Sequence, residues 1–393
     1  MTVRFLHTAD WQLGKPFAGI QDPEKRALVR QERLAVLDRI GQAARESGAA
    51  FIVVAGDLFD SPSVTQSTVA AACSAIGRMG LPVYAIPGNH DHGGPGSVWE
   101  QDFFRRECAV LAPNFHLLLK PEPVELPQAV LLPCPLRRRA ESSDPTAWLR
   151  GDGVLDALPP DKPRIVVAHG SVQGFGSGGS GEDDDSGGSA GNLLELNRLD
   201  QSALDYIALG DWHGVKEISP KASYCGTPEP DRFAKGETNE PGYVLTVEAA
   251  RGLLPVVTRV STARLAWRRA VGFFSEDAAL DRLRVEISDW LGQRAHQDLL
   301  RLELSGSLGI AAAAELAGLL DSWSARLLRL KLLDRTRVAP APGETEELTR
   351  RAGDPLISRV AARLTAMAAG DDEASATARV ALRELHTACM EGS

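Results

Sequence analysis

Short apolar segments that alternate with longer stretches constrain the fold of this chain more than any other feature. We predict strands at residues 3–7, 51–55, 83–86, 129–132, 164–168 and 206–209. The stretch 24–49, between the first two, is charged and carries Leu, Val and Ile at helical spacing, so it predicts an amphipathic helix. Strands alternating with helices are typical of an α/β core.

The composition is that of a globular protein rather than a disordered or fibrous one. The chain has 393 residues, 44% of them hydrophobic, which suits two or three domains with a sizeable core. With 43 Lys and Arg against 52 Asp and Glu, the net charge is −9. This balance argues against attraction of nucleic acid or membrane over the whole surface, so a polyanion must be met by a local basic patch or by metal.

Cysteine usage and the apolar runs bear on location. The five cysteines are widely spread and form no C-x-x-C pair, which is typical of reduced thiols in a cytosolic protein. The first residues lead directly into a strand pattern, and no run approaches about 18 apolar residues. We expect a cytoplasmic chain without a signal peptide or membrane contact.

The pattern changes after Val260, and we predict three parts, namely residues 1–260, 261–340 and 341–393. The middle part is expected to be a small α+β unit with a strand at 299–304, a helix at 309–320 and a strand at 326–333. The last part is expected to begin with a linker at 339–345 and to continue as a helical tail.

Two segments leave alternatives open. The tail has apolar residues at helical spacing, which fits either docking on a partner or packing on its own domain; they are Leu356, Ile357, Val360, Leu364 and Met367. Residues 171–191 are rich in Gly, Ser and Asp, which fits either a solvated insertion or a lid over a site.

Polar residues follow five of the predicted strands. The blocks are Asp-Trp-Gln at 10–12, Gly-Asp-Leu-Phe-Asp at 56–60, Gly-Asn-His-Asp at 88–91, Ala-His-Gly at 168–170 and Gly-Asp-Trp-His at 210–213. One such block alone fits helix capping or turn chemistry. Together they place carboxylate, amide and imidazole groups where ligand sites of α/β sheets gather. These groups suit divalent metals.

The five blocks resemble the pattern of the calcineurin-like metallophosphoesterase superfamily, D-x-H, G-D, G-N-H-D, H and G-H-x-H. Residues 7–14, 56–60 and 224–229 further resemble its SbcD-like DNA repair nuclease branch. The resemblance implies a four-layer αββα metallophosphoesterase sandwich with a small α+β capping domain and a helical C-terminal tail. It implies a metal-dependent DNA nuclease that cleaves phosphodiester bonds.

The resemblance also implies two metal sites. Asp57 would bridge two divalent ions, with Asp10, Gln12 and His213 around the first and Asn89, His169 and Asp211 around the second. His90 would protonate the leaving group or steady the phosphate, and Asp91 would accept a hydrogen bond from His90 and fix its tautomer.

Two positions depart from the family pattern. Gln12 stands where D-x-H has its histidine, and Asp211 stands where G-H-x-H has its first histidine. Replacing imidazoles with an amide and a carboxylate favours a hard, oxygen-preferring ion. We expect Mn²⁺, or else Mg²⁺, rather than Zn²⁺.

DNA would be held by positive charge near these blocks. The candidates are Lys15, Arg137, Arg138, Arg139, Lys216 and Arg232. The three consecutive arginines also fit an ordinary solvated face. The SbcD-like resemblance implies a homodimer whose tail docks on an SbcC-like coiled-coil ATPase.

Two other functions compete with a DNA nuclease. The same metal site could act on a small phosphomonoester or a cyclic nucleotide, although the chain beyond Val260 has little use in such a hydrolase. Alternatively, the two ligand exchanges have left a catalytically silent scaffold subunit. The presence of His90 and Asp91 argues against that, because a silent site needs no proton donor.

Overall fold

The computed structural model of the protein describes residues 1–172, 191–233, 240–338, 348–350, 354–370 and 372–391. The chain divides into two compact units, Met1–Leu265 and Ala266–Ser393. Most of the expected loop at 171–191 and all of the expected linker at 339–345 lie outside the described residues.

Two six-stranded sheets form the first unit. Its strands are β1 (Thr2–Thr8), β2 (Ile52–Ala55), β3 (Val83–Ile86), β4 (Phe115–Leu117), β5 (Val124–Glu125), β6 (Val130–Cys134), β7 (Arg164–His169), β8 (Ser171–Val172), β9 (Leu193–Leu194), β10 (Tyr206–Gly210), β11 (Lys216–Ser219), β12 (Ala222–Tyr224), β13 (Tyr243–Ala250) and β14 (Val256–Ser261). One sheet has the order β14-β13-β1-β2-β3-β4 and the other β11-β12-β10-β7-β6-β5, while β8 and β9 pair separately. Within the sheets, β1 to β4 run parallel, as do β6, β7, β10 and β12.

Among the described residues of the first unit there are three α-helices: α1 (Pro23–Glu46), α2 (Gln66–Met79) and α3 (Asp102–Leu111). The first begins after Asp22, whose carboxylate accepts hydrogen bonds from the backbone N–H groups of Glu24 and Lys25. Such a cap, followed by proline at the first helical position, fixes where the helix starts.

The central strands β2 and β3 of the first sheet are buried on both faces. In β2, Ile52 and Val54 pack on the helical side, whereas Val53 and Ala55 pack with apolar side chains of the second sheet. This period-2 alternation explains the continuous apolar run of the strand. A third apolar cluster covers the other face of the second sheet and includes residues of the short 3₁₀ helices Ala147–Arg150 and Leu196–Arg198. The predicted α/β sandwich is therefore confirmed.

The predicted strands and first helix agree closely with the observed elements. Each of the six strands is present, with ends shifted by two residues at most. The helix predicted at 24–49 begins one residue earlier and ends at Glu46.

The second unit is built on a parallel three-stranded sheet. Its elements are β15 (Ala266–Phe274), α4 (Ala278–Leu291), β16 (Asp298–Leu308), α5 (Ile310–Arg326), β17 (Arg329–Val338), α6 (Pro355–Ala368) and α7 (Glu373–Glu391). The sheet order is β15-β16-β17. Sequence patterns predicted β16, α5 and β17 but missed β15 and α4. The arginines and glycine of β15 obscure its pattern, because its outward positions are exposed.

The tail helices have an internal and an exposed apolar face. Ile357 and Leu364 of α6 pack on a cluster of α5 and α7 residues, whereas Leu356, Val360 and Met367 are exposed. The predicted stripe therefore splits between packing within its own unit and a surface face. No helix of the described residues is long and apolar enough to span a membrane.

We expect residues 1–265 to fold when expressed alone, because the three cores described above draw only on side chains of the first unit. The fragment should unfold in urea in one cooperative transition, measured by circular dichroism. A fragment ending at residue 240 is the control: it loses β13 and β14, so β1 loses its antiparallel neighbour and cooperativity should be lost. Loss of cooperative unfolding in 1–265 would contradict the division.

Candidate metal centre

Strand ends from both sheets bring the candidate ligands together. Asp10 and Asp57 follow β1 and β2 of the first sheet, His169 is the last residue of β7, and Asp211 follows β10 of the second. The three aspartates and Gln12 have positive φ angles of 53°, 56°, 103° and 42°. Such a backbone costs about 1–2 kcal/mol per residue outside glycine. These positive φ angles therefore lower the stability of the fold, but they place the four side chains in the site.

Two glycines allow the loops to approach this closely. A Cβ on Gly88 would lie 2.1 Å from Oδ1 of Asp57, and a Cβ on Gly56 would lie 2.3 Å from Nδ1 of His169. Gly56 also has a φ of +91°, which favours glycine. These positions explain why glycine precedes the ligands in the Gly-Asp and Gly-Asn-His-Asp blocks.

His169 lies at the centre of the ligand cluster. Its Nδ1 is 2.8 Å from the carbonyl oxygen of Ala55, to which it donates, so Nε2 faces the site. Nε2 lies 3.5 Å from Asp57 Oδ2, 3.8 Å from Asp211 Oδ1 and 3.3 Å from Asn89 Oδ1. Ligand atoms of Asp10, Asp57 and His169 all lie within 4.8 Å of one another, and all three residues are buried. Carboxylate oxygens, an amide oxygen and an imidazole nitrogen form a donor set that fits a divalent metal.

Negative charge dominates this cluster. Burial, together with the charges of Asp57 and Asp211, raises the pKa of Asp10 well above its usual value. Burial acts to lower the pKa of His169, but the neighbouring carboxylates outweigh it and raise that pKa to about 9. Without a metal, the raised pKa values of Asp10 and His169 therefore favour protons bound within the cluster. A divalent cation can take the place of such protons.

Gln12 and His213 are close together, and the Gln12 oxygen is bound to a lysine. Its Oε1 accepts from Lys15 Nζ at 2.9 Å, and its Nε2 lies 3.4 Å from His213 Nε2. Nδ1 of His213 is 3.0 Å from Asp231 Oδ1. Burial, with the charge of Arg232, lowers the pKa of His213 to about 4, so the imidazole is neutral. The Gln12 oxygen thus faces Lys15, and metal binding by Gln12 stays a prediction of the resemblance.

Asp91 also has a different hydrogen-bonding role. Its carboxylate accepts from the backbone N–H groups of Gly88 and Phe59 at 2.7 and 3.1 Å. His90 instead has Nδ1 at 2.9 Å from the carbonyl oxygen of Asp60. Asp91 therefore fixes the loop that carries Asn89 and His90, and the Asp60 carbonyl orients the imidazole.

The candidate DNA-contact residues differ from one another in burial and in the groups that they contact. Lys15 is largely buried and pairs with Asp231 at 2.8 Å. Lys216 lies over the ring of Trp212, with Nζ 4.8 Å from the centroid. Arg232 is half-buried beside Asp231, with Nε 3.8 Å from its Oδ1. The arginines at 137–139 are exposed.

The sequence analysis did not identify Arg33 and Ser171, which donate hydrogen bonds to the candidate ligand residues Asp10 and Asp211. Arg33 is buried and donates to the carbonyl oxygens of Asp10 and Glu229 and to Thr227 Oγ1. The signal that could have identified Arg33 is its position in α1, because it lies on the same buried helix face as Val29 and Val36. Ser171 donates to Asp211 Oδ2 at 3.0 Å, and no comparable pattern marks it.

A family model described as calcineurin-like phosphoesterase matches residues 3–215, which is more than half of the chain. The chain belongs to this family. The phosphoesterase therefore acts as a hydrolase on phosphoester bonds, and Asp10, Asp57 and His169 form a candidate site for the divalent metals that the family uses.

Solved structures of other proteins are similar to the phosphoesterase at low identity. The protein TT1561 of Thermus thermophilus is 15% identical, with a TM-score of 0.40, over 67% of this chain and 100% of that one. A dimetal phosphatase from Danio rerio is 11% identical, with a TM-score of 0.34, over 66% of this chain and 99% of that one. At these TM-scores the similarities add nothing to the family assignment.

Metal binding should release a proton from His169. Its pKa of about 9 keeps it protonated at pH 7 in the metal-free protein, whereas a ligating imidazole is neutral. Mn²⁺ affinity should rise with pH and level off above about pH 9. Isothermal titration calorimetry at pH 7 in buffers of different ionisation enthalpy measures the protons released.

The control for this prediction is His169→Gln, which keeps a polar side chain but removes the titrating group. Its proton release should fall by about one per metal ion, and its Mn²⁺ affinity should fall as well. Equal proton release in the wild type and the variant would contradict the assignment of the proton to His169.

Proposed function

We propose that the phosphoesterase is a metal-dependent DNA nuclease of the SbcD-like type that hydrolyses phosphodiester bonds in DNA repair. The observation that supports this proposal is the backbone attachment of the exposed arginine segment 137–139 to the loops that carry His90 and His169. A row of exposed cations at the edge of a phosphoesterase site suits a substrate with many phosphates.

The backbone on both sides of the arginine segment is bound to loops of the site. The N–H of Gly93, three residues after His90, donates to the carbonyl oxygen of Leu136 at 2.8 Å. Nδ2 of Asn192 donates to the carbonyl oxygen of Arg139 at 3.0 Å. The Asn192 carbonyl in turn accepts from the N–H of Ser171, two residues after His169. The segment is thus held between the loops that carry His90 and His169.

The side chains of the centre suit phosphodiester hydrolysis. When bound, a divalent metal supplies Lewis-acid stabilisation of charge on the phosphoryl oxygens. Asp57, His169 and Asn89, with Asp10 and Asp211 beside them, would hold that metal. Three carboxylates and an amide favour Mn²⁺ or Mg²⁺ over a softer ion. His90 donates from Nδ1 to the Asp60 carbonyl, so Nε2 of the doubly protonated imidazole would pass its proton to the leaving oxygen and leave a neutral ring.

The proposal extends to partners of the tail and of the chain. Leu356, Val360 and Met367 form an exposed apolar face on α6. An amphipathic helix of this kind supports docking in an apolar groove, and we assign the face to an SbcC-like coiled-coil ATPase. A homodimer of the phosphoesterase belongs to the same proposal.

The nuclease activity is tested with end-labelled single- and double-stranded DNA and a Mn²⁺ titration. Cleavage should require Mn²⁺, and His90→Ala should reduce kcat about 10²- to 10⁴-fold, the usual contribution of a proton donor. His116→Ala is the matched control, because His116 stacks on Tyr84 in β3, away from the centre. Metal content is measured in the same samples.

Other outcomes of this experiment separate the competing functions. Hydrolysis of a cyclic nucleotide or a phosphomonoester, uninhibited by DNA and with no DNA cleavage, would favour a small-molecule substrate. Full metal content without turnover of any of these substrates would favour a scaffold subunit. Either result would overturn the nuclease proposal.

The arginine segment is tested by salt dependence. Replacing Arg137, Arg138 and Arg139 with glutamine should weaken DNA binding and reduce the slope of log K against log salt by about 2 to 3 in a catalytically inactive background. Metal content should be unchanged. An unchanged slope would mean that these side chains do not meet phosphates. Replacing exposed Arg105 and Arg106 of α3 with glutamine is the control for a general change of charge.

A further inference from the structure

The family pattern places a first metal beside the histidine of D-x-H and the last histidine of G-H-x-H. In this chain those positions are Gln12 and His213, and a lysine stands next to them. Lys15 Nζ lies 2.9 Å from Gln12 Oε1, 2.8 Å from Asp231 Oδ2 and 3.7 Å from Asp60 Oδ1. The ammonium group is therefore fixed by three oxygens.

The hydrogen bonds fix the orientation of the Gln12 amide. An ammonium group only donates, so the oxygen of Gln12 has to face Lys15. The Gln12 amide nitrogen therefore faces His213 Nε2 at 3.4 Å, and because an amide nitrogen only donates, that Nε2 accepts and carries no hydrogen, while Nδ1 donates to Asp231. An amide nitrogen has no lone pair to offer a metal, and it covers the one ring nitrogen of His213 that could bind one.

Positive charge from the protein further disfavours a cation here. Besides Lys15, the buried guanidinium of Arg33 donates to the carbonyl oxygen of Asp10 at 3.0 Å. Arg232 lies on the other side of Asp231. By contrast, the neighbours of His169 Nε2 are carboxylate and amide oxygens.

We propose that the phosphoesterase binds one divalent cation tightly, at the Asp10, Asp57 and His169 cluster, and that Lys15 supplies the positive charge at the position of the family's other metal. Lys15 is thus a positioning residue, which holds Gln12 directly and His213 through Asp231. This inference deepens the proposed function, since it concerns the same centre, but it is tested without any substrate.

The experiment measures Mn²⁺ stoichiometry of the full chain by equilibrium dialysis with elemental analysis, and the state of the bound ions by electron paramagnetic resonance. The wild type should bind one equivalent, with any second equivalent at least 100-fold weaker, and should give the six-line spectrum of an isolated Mn²⁺ ion. Lys15→Met should tighten the second equivalent at least tenfold. Lys15→Met combined with Gln12→His should bind two equivalents and give the spectrum of a coupled pair.

Lys162→Met is the matched control. Lys162 has a side chain as buried as that of Lys15 and pairs with Glu125 at 2.7 Å, but it is not part of the centre. This variant should retain one equivalent of Mn²⁺ with unchanged affinity.

Two equivalents bound by the wild type with affinities within tenfold of each other would overturn the proposal, whether or not any variant folds. So would a folded Lys15→Met protein with the second equivalent no tighter than in the wild type. These outcomes are distinguishable from failure of the nuclease function. A wild-type protein that binds one Mn²⁺ and does not cleave DNA would contradict only the nuclease proposal.

Discussion

The structure depends on the burial of like charges at the ends of parallel strands. Asp10, Asp57 and Asp211 come from loops of two different sheets, and the buried imidazole of His169 lies among them. Bringing carboxylates out of water beside one another is unfavourable unless a cation or a proton compensates them. The left-handed backbone of the aspartates adds to that cost. The rigid two-sheet core keeps these groups together, and a bound cation would offset much of the cost.

The residues around the ligands stabilise the site in two ways. Asp91 and Arg33 bind backbone atoms, so they fix the loops that carry the ligands. Asp231 binds the side chains of His213 and Lys15, so it fixes side-chain orientation. Substituting a residue of either group would therefore move the ligand atoms indirectly. These roles explain why the polar side chains of Asp91, Arg33 and Asp231 are buried.

The sequence predicted the strands and the convergence of their ends, because burial on both faces and glycine at close approaches leave local signatures. It could not predict the orientation of Gln12. That orientation depends on Lys15 and on Asp231, which is distant in sequence and close only in the folded chain. The hydrogen bonds of Asp91 and His90 could not be predicted from the sequence either. These adjacent residues bind different backbone groups, since Asp91 accepts from N–H groups whereas His90 binds a carbonyl oxygen. In the second unit, β15 was missed because Arg268 and Arg269 interrupt its apolar pattern and three of its nine residues are exposed.

An acidic chain that acts on a polyanion has to concentrate its positive charge. Here the net charge is −9, so attraction of the proposed DNA substrate would have to come from the centre and its edge rather than from the whole surface. Within the centre, carboxylates would bind the cation that a phosphate meets. At the edge, the arginines at 137–139 are exposed and bound through their backbone, which leaves their side chains to solvent. Lys15 differs from them because its charge is committed to Asp231. Burial and pairing therefore separate the cations that organise the centre from those that can attract a substrate.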